Sequence, residues 1–333
     1  MKKFNIIPLM MIVPLLGACN GSNVKKMSKP KFASYSNKVE ADKFAEDANK
    51  AGEEAFKPCF VYDGDNIVSI DKGAVLTMKQ YKSVQYKSTL KSGNKQSYSS
   101  ETSVQSTSQI DATTLVAKGV MEMAQEASAK NVDAEPSTSI VPIGEQSIAV
   151  LNSIPEFAST DGKMSASQKE ETYSFYQDKK QVVASATTKT YSKNTLEVEE
   201  AKQKENIALG AYMSLAVTMA QFLPVDDLAA KYDRYEDGQV YTSYLKSEGK
   251  ELSYTYGDEQ VKVTSKLERI YQIDFAKLKA VYSEEITIEM SKDDIGTLNY
   301  SSKDYRSLEY ANKKVSVKAP DISKYTENTT LGL

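Results

Sequence analysis

Apolar and polar residues alternate with a period of two through much of the chain beyond Phe60, and with a period of three to five in a few short windows. Between Phe32 and Phe56, the residues Val39, Phe44, Ala48, Ala51 and Ala55 recur among charges at helical spacing, which predicts an amphipathic helix. Phe60 to Val68 reads as two short apolar segments around Asp63-Gly64-Asp65-Asn66, a hairpin turn. The acidic spacing there is that of a calcium loop, but Ile67 stands where a third oxygen ligand is needed, so a turn is expected.

Tyr81, Val84, Tyr86 and Leu90 precede the turn residues Lys91 to Lys95, and a Ser/Thr-rich run from Tyr98 to Ile110 follows. This predicts a long hairpin with one heavily polar face. Thr114 to Ala129 (TLVAKGVMEMAQEASA) is helical by composition. Tyr173 to Tyr191 predicts a second hairpin around Gln177-Asp178-Lys179-Lys180, and Glu199 to Leu223 a second helix stopped by Pro224. Met123-Ala124-Gln125 and Met219-Ala220-Gln221 fall near the ends of the two helical windows, which suggests a hairpin-then-helix duplication. Gln239 to Ala319 alternates through Gly/Asp turns as an antiparallel meander, with Asp274 to Tyr282 a short helix or another strand. The expected fold class is α+β: long antiparallel hairpins and a C-terminal meander packed against a few helices, as a half-barrel or as two hairpin-helix repeats.

The organisation expected is a leader over residues 1–18, a tether over 19–31 and a body over 32–333. Pro136, Pro142, Pro155, Gly144 and Gly162 mark a subdivision of that body near 135–165. The leader carries Lys2 and Lys3, an apolar run from Phe4 to Leu16 interrupted by Pro8 and Pro14, and small residues before Cys19. It is shorter than the roughly 18 apolar residues a spanning helix needs, and it has the layout of a secretory signal. The run Leu16-Gly17-Ala18-Cys19 resembles the lipobox of bacterial lipoproteins. The resemblance implies that Cys19 receives a diacylglycerol and becomes the first residue after cleavage, with the body outside the cytoplasm and the membrane as a partner through the acyl anchor. Residues 20–31 (NGSNVKKMSKPK) then read as a flexible tether whose lysines are solvated or touch headgroups.

Composition narrows the chemistry. The formal net charge is −3, and cleavage after residue 18 removes Lys2 and Lys3, so nothing in the charge calls for nucleic acid. There is no histidine and no tryptophan, against 21 tyrosines. Without imidazole the Ser-His-Asp and Cys-His forms of nucleophilic catalysis and the imidazole-based zinc sites are excluded. No metal and no cofactor is expected. Cys59, in the apolar run Pro58 to Tyr62, reads as a buried small hydrophobe. The adjacent acids Glu199-Glu200, Asp226-Asp227, Glu284-Glu285 and Asp293-Asp294 do not converge as written, because neighbours on a strand point to opposite faces.

The second helical window, Ile207 to Leu223, is apolar almost all round. Burial on both sides is the default. The sharper alternative is an apolar pocket lined by Leu209, Met213, Val217 and Met219 for a hydrophobic small molecule or lipid. The element order is also similar to that of half-barrel lipid-carrier lipoproteins, which implies strands cupping apolar helices. The expectation is therefore an anchored, non-catalytic lipoprotein that binds a ligand or maintains the envelope. A structural or adhesive surface protein and a carboxylate hydrolase stand as alternatives.

Overall fold

A computed structural model describes residues 24–90, 93, 95–130, 137–143, 146–152, 162–187, 190–197, 199, 202–224, 231–249, 252–256, 259–292 and 296–327. In chain order the elements are β1 (Lys38–Val39), α1 (Ala41–Phe56), β2 (Phe60–Asp63), β3 (Asn66–Ile70), β4 (Ala74–Leu90), β5 (Lys95–Asp111) and β6 (Val116–Lys130). Next come β7 (Ser137–Ile143), β8 (Gln146–Asn152), β9 (Gly162–Gln177), β10 (Lys180–Thr187), β11 (Tyr191–Glu197) and α2 (Gln203–Ala220). The chain closes with β12 (Asp233–Asp237), β13 (Val240–Glu248), β14 (Leu252–Tyr256), β15 (Glu259–Asp274), β16 (Lys279–Lys292), β17 (Gly296–Asn312) and β18 (Thr326–Glu327).

Fourteen of these strands make one sheet, ordered β1-β12-β13-β15-β16-β17-β4-β5-β6-β9-β10-β11-β18, with β14 beside β15. The pair β11 and β18 is parallel, whereas the ladder from β4 through β6 to β9 is antiparallel. The halves of the chain are joined where β17 lies antiparallel to β4, from Asn312 opposite Ala74 to Gly296 opposite Leu90. The C-terminal meander therefore extends the N-terminal hairpin rather than forming a second unit like it. The β7–β8 hairpin lies off this sheet, with β7 approaching β15.

The α+β expectation is overturned. The protein is a large, mostly-β fold, with two α-helices among the described residues. The difference lies chiefly in Val116–Lys130, which is strand β6 and not a helix. Its Ala, Met, Glu, Gln and Lys residues favour a helix in isolation, but β5 on one side and β9 on the other pair with its backbone along its length. The hairpin-then-helix duplication falls with that helix. Asp274 to Tyr282 is a turn over 275–278 between β15 and β16.

Strand alternation gives the sheet two different faces. On one, here the helix face, Tyr241, Ile273, Ala280, Leu308 and Tyr310 meet Phe44, Ala48, Ala51 and Phe56 of α1 and Ala208, Ala211, Leu215 and Met219 of α2 in a single core. The free thiol of Cys59 is buried in the same core, and burial raises its pKa. Gly73, just before β4, has φ +138°, and a Cβ there would stand 2.8 Å from the Lys313 carbonyl oxygen. Only glycine fits that crossing.

The sequence has three arginines, Arg234, Arg269 and Arg306, and all three lie on the helix face in two neighbouring cross-strand rows. One row runs Arg234, Ser243, Tyr271, Tyr282, Arg306, and the next places Arg269, Glu284 and Asp304 side by side. Arg269 donates from Nε to Glu284 at 2.6 Å and from Nη1 to the Tyr232 hydroxyl at 2.8 Å. Arg306 grips Asp304 with two bonds of 3.1 and 2.6 Å and stacks 4.8 Å from the Tyr282 ring centre. Burial opposes the charge on Arg269, but the facing Glu284 carboxylate outweighs it and its pKa is raised. A planar, weakly hydrated guanidinium suits such a place, and lysine serves everywhere else. Arg269 and Arg306 are paired within the belt, and Arg234 lies over the Phe44 ring. The belt thus reads as framework between two apolar clusters, one under the helices and one around Leu245, Leu267, Ile286 and Ile288.

Candidate binding face and its strap

The opposite, polar face is where exposed chemistry collects. It carries Lys79, Tyr81, Ser83 and Gln85 from β4 beside Gln105, Ser103, Glu101 and Ser99 from β5. Beside those stand Glu122, Glu126 and Ser128 from β6 and Lys169, Ser165 and Lys163 from β9. These are the polar positions of the alternation, and strand geometry sends them all to one side.

Two segments without secondary structure cross this face. The first is the N-terminal one. The Lys25 amide donates to Ser103 Oγ at 3.0 Å, and its ammonium pairs with Glu122 at 2.5 Å. Lys26 pairs with Glu101 at 3.0 Å. Lys29 bonds Glu268 and lies 3.4 Å from Glu285. Ala33 exchanges two bonds with the Gln272 side-chain amide, at 2.7 and 3.0 Å, in the manner of a strand pair. The Ser36 amide donates to Asp237 at 2.8 Å, β1 pairs with β12 at the sheet edge, and the chain passes round that edge into α1 on the helix face. Residues 24–31, expected as tether, thus lie strapped over β5, β6, β15 and β16. None of the residues 24–33 is buried.

The second strap follows β17. Val315 and Val317 pack with Val116, Phe175, Val182 and Ala184, and Tyr325 packs against the same cluster before β18 adds itself to β11. Asp111 holds this strap by accepting from the Val317 amide at 3.2 Å and from the Thr113 and Thr114 amides at 2.8 and 3.2 Å. Burial raises its pKa, but these three N–H groups outweigh the burial and leave it below the ordinary aspartate value.

Beneath the N-terminal strap the sheet holds two like-charged pairs in register, Glu268 opposite Glu285 and Glu101 opposite Glu126. Burial pushes the Glu285 carboxyl up, yet the Tyr305 hydroxyl and the Lys29 ammonium outweigh it and its pKa is lowered. At Glu101 burial is likewise outweighed, by the Tyr81 hydroxyl at 2.8 Å and by Lys26. The Lys25 ammonium lowers Glu122 most directly.

Beside this seat is an open cleft of about 450 Å³ lined by Ser83, Gln85, Ser99, Glu101, Glu126, Ser128, Lys163 and Ser165. It is two adjacent rows across β4, β5, β6 and β9, and Ser99 and Ser128 bond each other within it at 2.8 Å. A smaller cleft of about 290 Å³ at the far end includes Asp71, Lys72, Lys204 and Lys314.

The residues expected to line an apolar pocket do not gather. Met219 is buried in the core, while Leu209 and Met213 are half-buried and Val217 is 55% exposed. Positions 209, 213 and 217 form one stripe of α2, and the buried stripe 208, 211, 215 and 219 points the other way, so α2 is covered on one side only. Neither cleft described above includes any of the four. Glu284 faces Arg269 on the helix face and Glu285 faces Lys29 on the other, which separates that acidic pair. Glu200, Asp226, Asp227, Asp293, Asp294, and the lipobox residues Leu16, Gly17, Ala18 and Cys19 lie outside the described residues. Among the described residues no group of three or more acids and thiols is placed to hold a metal, and no helix is long and apolar enough to cross a membrane.

The strap and its glutamate seat were not read from the sequence as a site. Their partners are separated by 75 to 256 residues, so no local pattern announces them.

No family model matches the chain, and no curated protein matches it in sequence. Among solved structures it is aligned with the translocator domain of autotransporter NalP from Neisseria meningitidis, at TM-score 0.11 and 8% identity, over 80% of this chain and 97% of that one. A likeness of that size carries no argument.

Proposed function

We propose that this chain is a lipid-anchored bacterial envelope protein that acts by binding and by holding position, not by catalysis. Cys19 is the anchor, its acyl chains the membrane contact, and the sheet the extracytoplasmic body. The observation that carries the reading is the strap. Lys25 is fixed on Ser103, only six residues after Cys19, so the anchor lies at most about 20 Å from the polar face at roughly 3.3–3.6 Å per residue. Two acyl chains supply the two signals that stable attachment needs.

The ligand class favoured by the geometry is polar. The cleft on the polar face offers hydroxyls from four serines, one amide, two carboxylates and one ammonium, which suits a polyhydroxylated or zwitterionic chain such as a glycan segment. A hydrophobic ligand is the second reading, and the apolar outer stripe Leu209, Met213 and Val217 of α2 favours it.

Replacing Cys19 by serine tests the anchor. The variant is expected to keep residues 1–18 and to leave the detergent-extractable membrane fraction. Retention there with unchanged cleavage removes the reading. Native mass spectrometry of the purified protein separates the two ligand classes, because a retained lipid mass supports the hydrophobic one.

A further inference from the structure

We propose that residues 24–33 are an electrostatic latch that gives the tether two lengths; the inference rests on Cys19 as the anchor. The seat is built for it. Glutamates directly opposite one another on neighbouring strands repel, and this sheet holds two such pairs under the strap, Glu268 with Glu285 and Glu101 with Glu126. Lys29 reaches both members of the first, and Lys26 grips Glu101 of the second. Lys25 takes Glu122, which it shares with Lys169 at 3.7 Å. The strap thus brings a cation to each of the two crowded glutamate pairs, through Lys29 at the first and Lys26 at the second.

The same contacts make the latch reversible. No residue from 24 to 33 is fully buried, and Val24, Met27, Pro30 and Phe32 are half-buried. The lysine ion pairs stay open to solvent, so they are the part of the hold that salt reaches. Solvent-exposed ion pairs each contribute little and weaken as the screening length falls from about 10 Å at 0.1 M salt to about 3 Å at 1 M. A strap of four such pairs from three lysines and a few side-chain bonds opens at moderate cost. The segment beyond it is fastened separately: Ser36 and Asn37 donate to Asp237 and β1 is paired with β12. Release therefore stops there.

The consequence is a change of reach. Latched, the anchor is six residues from its first attachment on the sheet, about 20 Å. Released, it is seventeen residues from Ser36, about 55–60 Å when extended at roughly 3.3–3.6 Å per residue. The latched state holds the polar face close to the bilayer with its glutamates neutralised. The released state frees that face and lets the sheet stand off the membrane.

Hydrogen exchange on the purified full mature chain tests the latch without the membrane. The Lys25 and Ala33 amides, which donate to Ser103 and Gln272, are expected to be protected at about 0.05 M salt and to lose at least about tenfold of that protection at 1 M. The triple variant Lys25→Ala/Lys26→Ala/Lys29→Ala is expected to lose it already at low salt, while arginine at the same three positions retains it. The Ser36 amide is the internal control and stays unchanged. Protection indifferent to both salt and the alanine variant overturns the latch. Neutron reflectometry of the acylated protein on a supported bilayer then reads the two lengths. The protein layer is expected to sit tens of ångströms further out for the triple variant, and equal heights overturn the proposal. If no layer forms while the exchange results stand, the anchor has failed and the two-length claim with it, but not the strap.

Discussion

Glu268 and Glu285 stand directly opposite one another on neighbouring antiparallel strands, and the ammonium of Lys29 reaches both. Neither the pair nor the lysine makes sense alone. The acids belong to the meander some 240 residues after the lysine, and the strap brings opposite charge to a place where the sheet holds like charges in register.

Lys29→Ala is expected to destabilise the protein by about 0.5–1 kcal/mol, the range for cross-strand charge pairs and exposed ion pairs. In a Glu268→Gln/Glu285→Gln background the same change is expected to be close to neutral. A double-mutant cycle by denaturant unfolding checks the coupling. Equal losses in both backgrounds would mean that Lys29 acts through something other than the glutamates.

Acid should release the strap. The carboxyls of Glu101, Glu122 and Glu285 have lowered pKa values in the folded protein. Each therefore contributes stability that is fully present above the unfolded glutamate value of about 4.3 and is lost as pH falls through the lower folded value. The unfolding midpoint is expected to drop between about pH 5 and pH 3. The Lys25/Lys26/Lys29 alanine variant should show a shallower drop, since part of the stabilisation is already gone. An identical slope in the two proteins contradicts the assignment.

The arginine belt is expected to be costly to break on one side. Arg269 and Glu284 have side chains 11% and 15% exposed, so Arg269→Met leaves a carboxylate nearly out of water and should cost about 3–5 kcal/mol. Arg269→Met with Glu284→Met should recover most of that loss. Chemical denaturation of the two variants decides it, and a small effect of the single change would mean water reaches Glu284 freely.

The two stripes of α2 should respond differently. Leu215 is 1% exposed, so Leu215→Ala is expected to cost about 2–5 kcal/mol. Val217 is 55% exposed, and Val217→Ala should stay within about 0.5 kcal/mol. A large loss at Val217, read as a shift in denaturation midpoint, would reveal a packed partner on the outer stripe.

Much of the fold was legible in local pattern. The turn after Asp63, the long hairpin through Lys91 to Lys95, the hairpin around Gln177 to Lys180 and the C-terminal meander follow from alternation punctuated by Gly, Asp and Asn, and the second helix from its apolar window ended by Pro224. Strand β6 was misread for a physical reason. Lys118, Glu122 and Glu126 are four residues apart, and a spacing of four fits one stripe of a helix and one face of a strand equally well. Composition tipped the reading to helix, and the two neighbouring strands tipped the chain to sheet. The join of β17 to β4 could not be read either, because register between distant strands leaves no local mark. Of the candidate site, the lysines of the strap were visible as a basic tether, but their glutamate partners were not. Of the four residues read as one apolar lining, helical periodicity puts Met219 in the core and Leu209, Met213 and Val217 on another stripe of α2.

The most direct test of the account is the intact mass of the protein extracted from membranes, with sequencing of its first residue. The account predicts a chain that starts at Cys19 and is heavier than its sequence by a diacylglycerol. An unmodified Cys19, or a soluble chain that still carries residues 1–18, contradicts it.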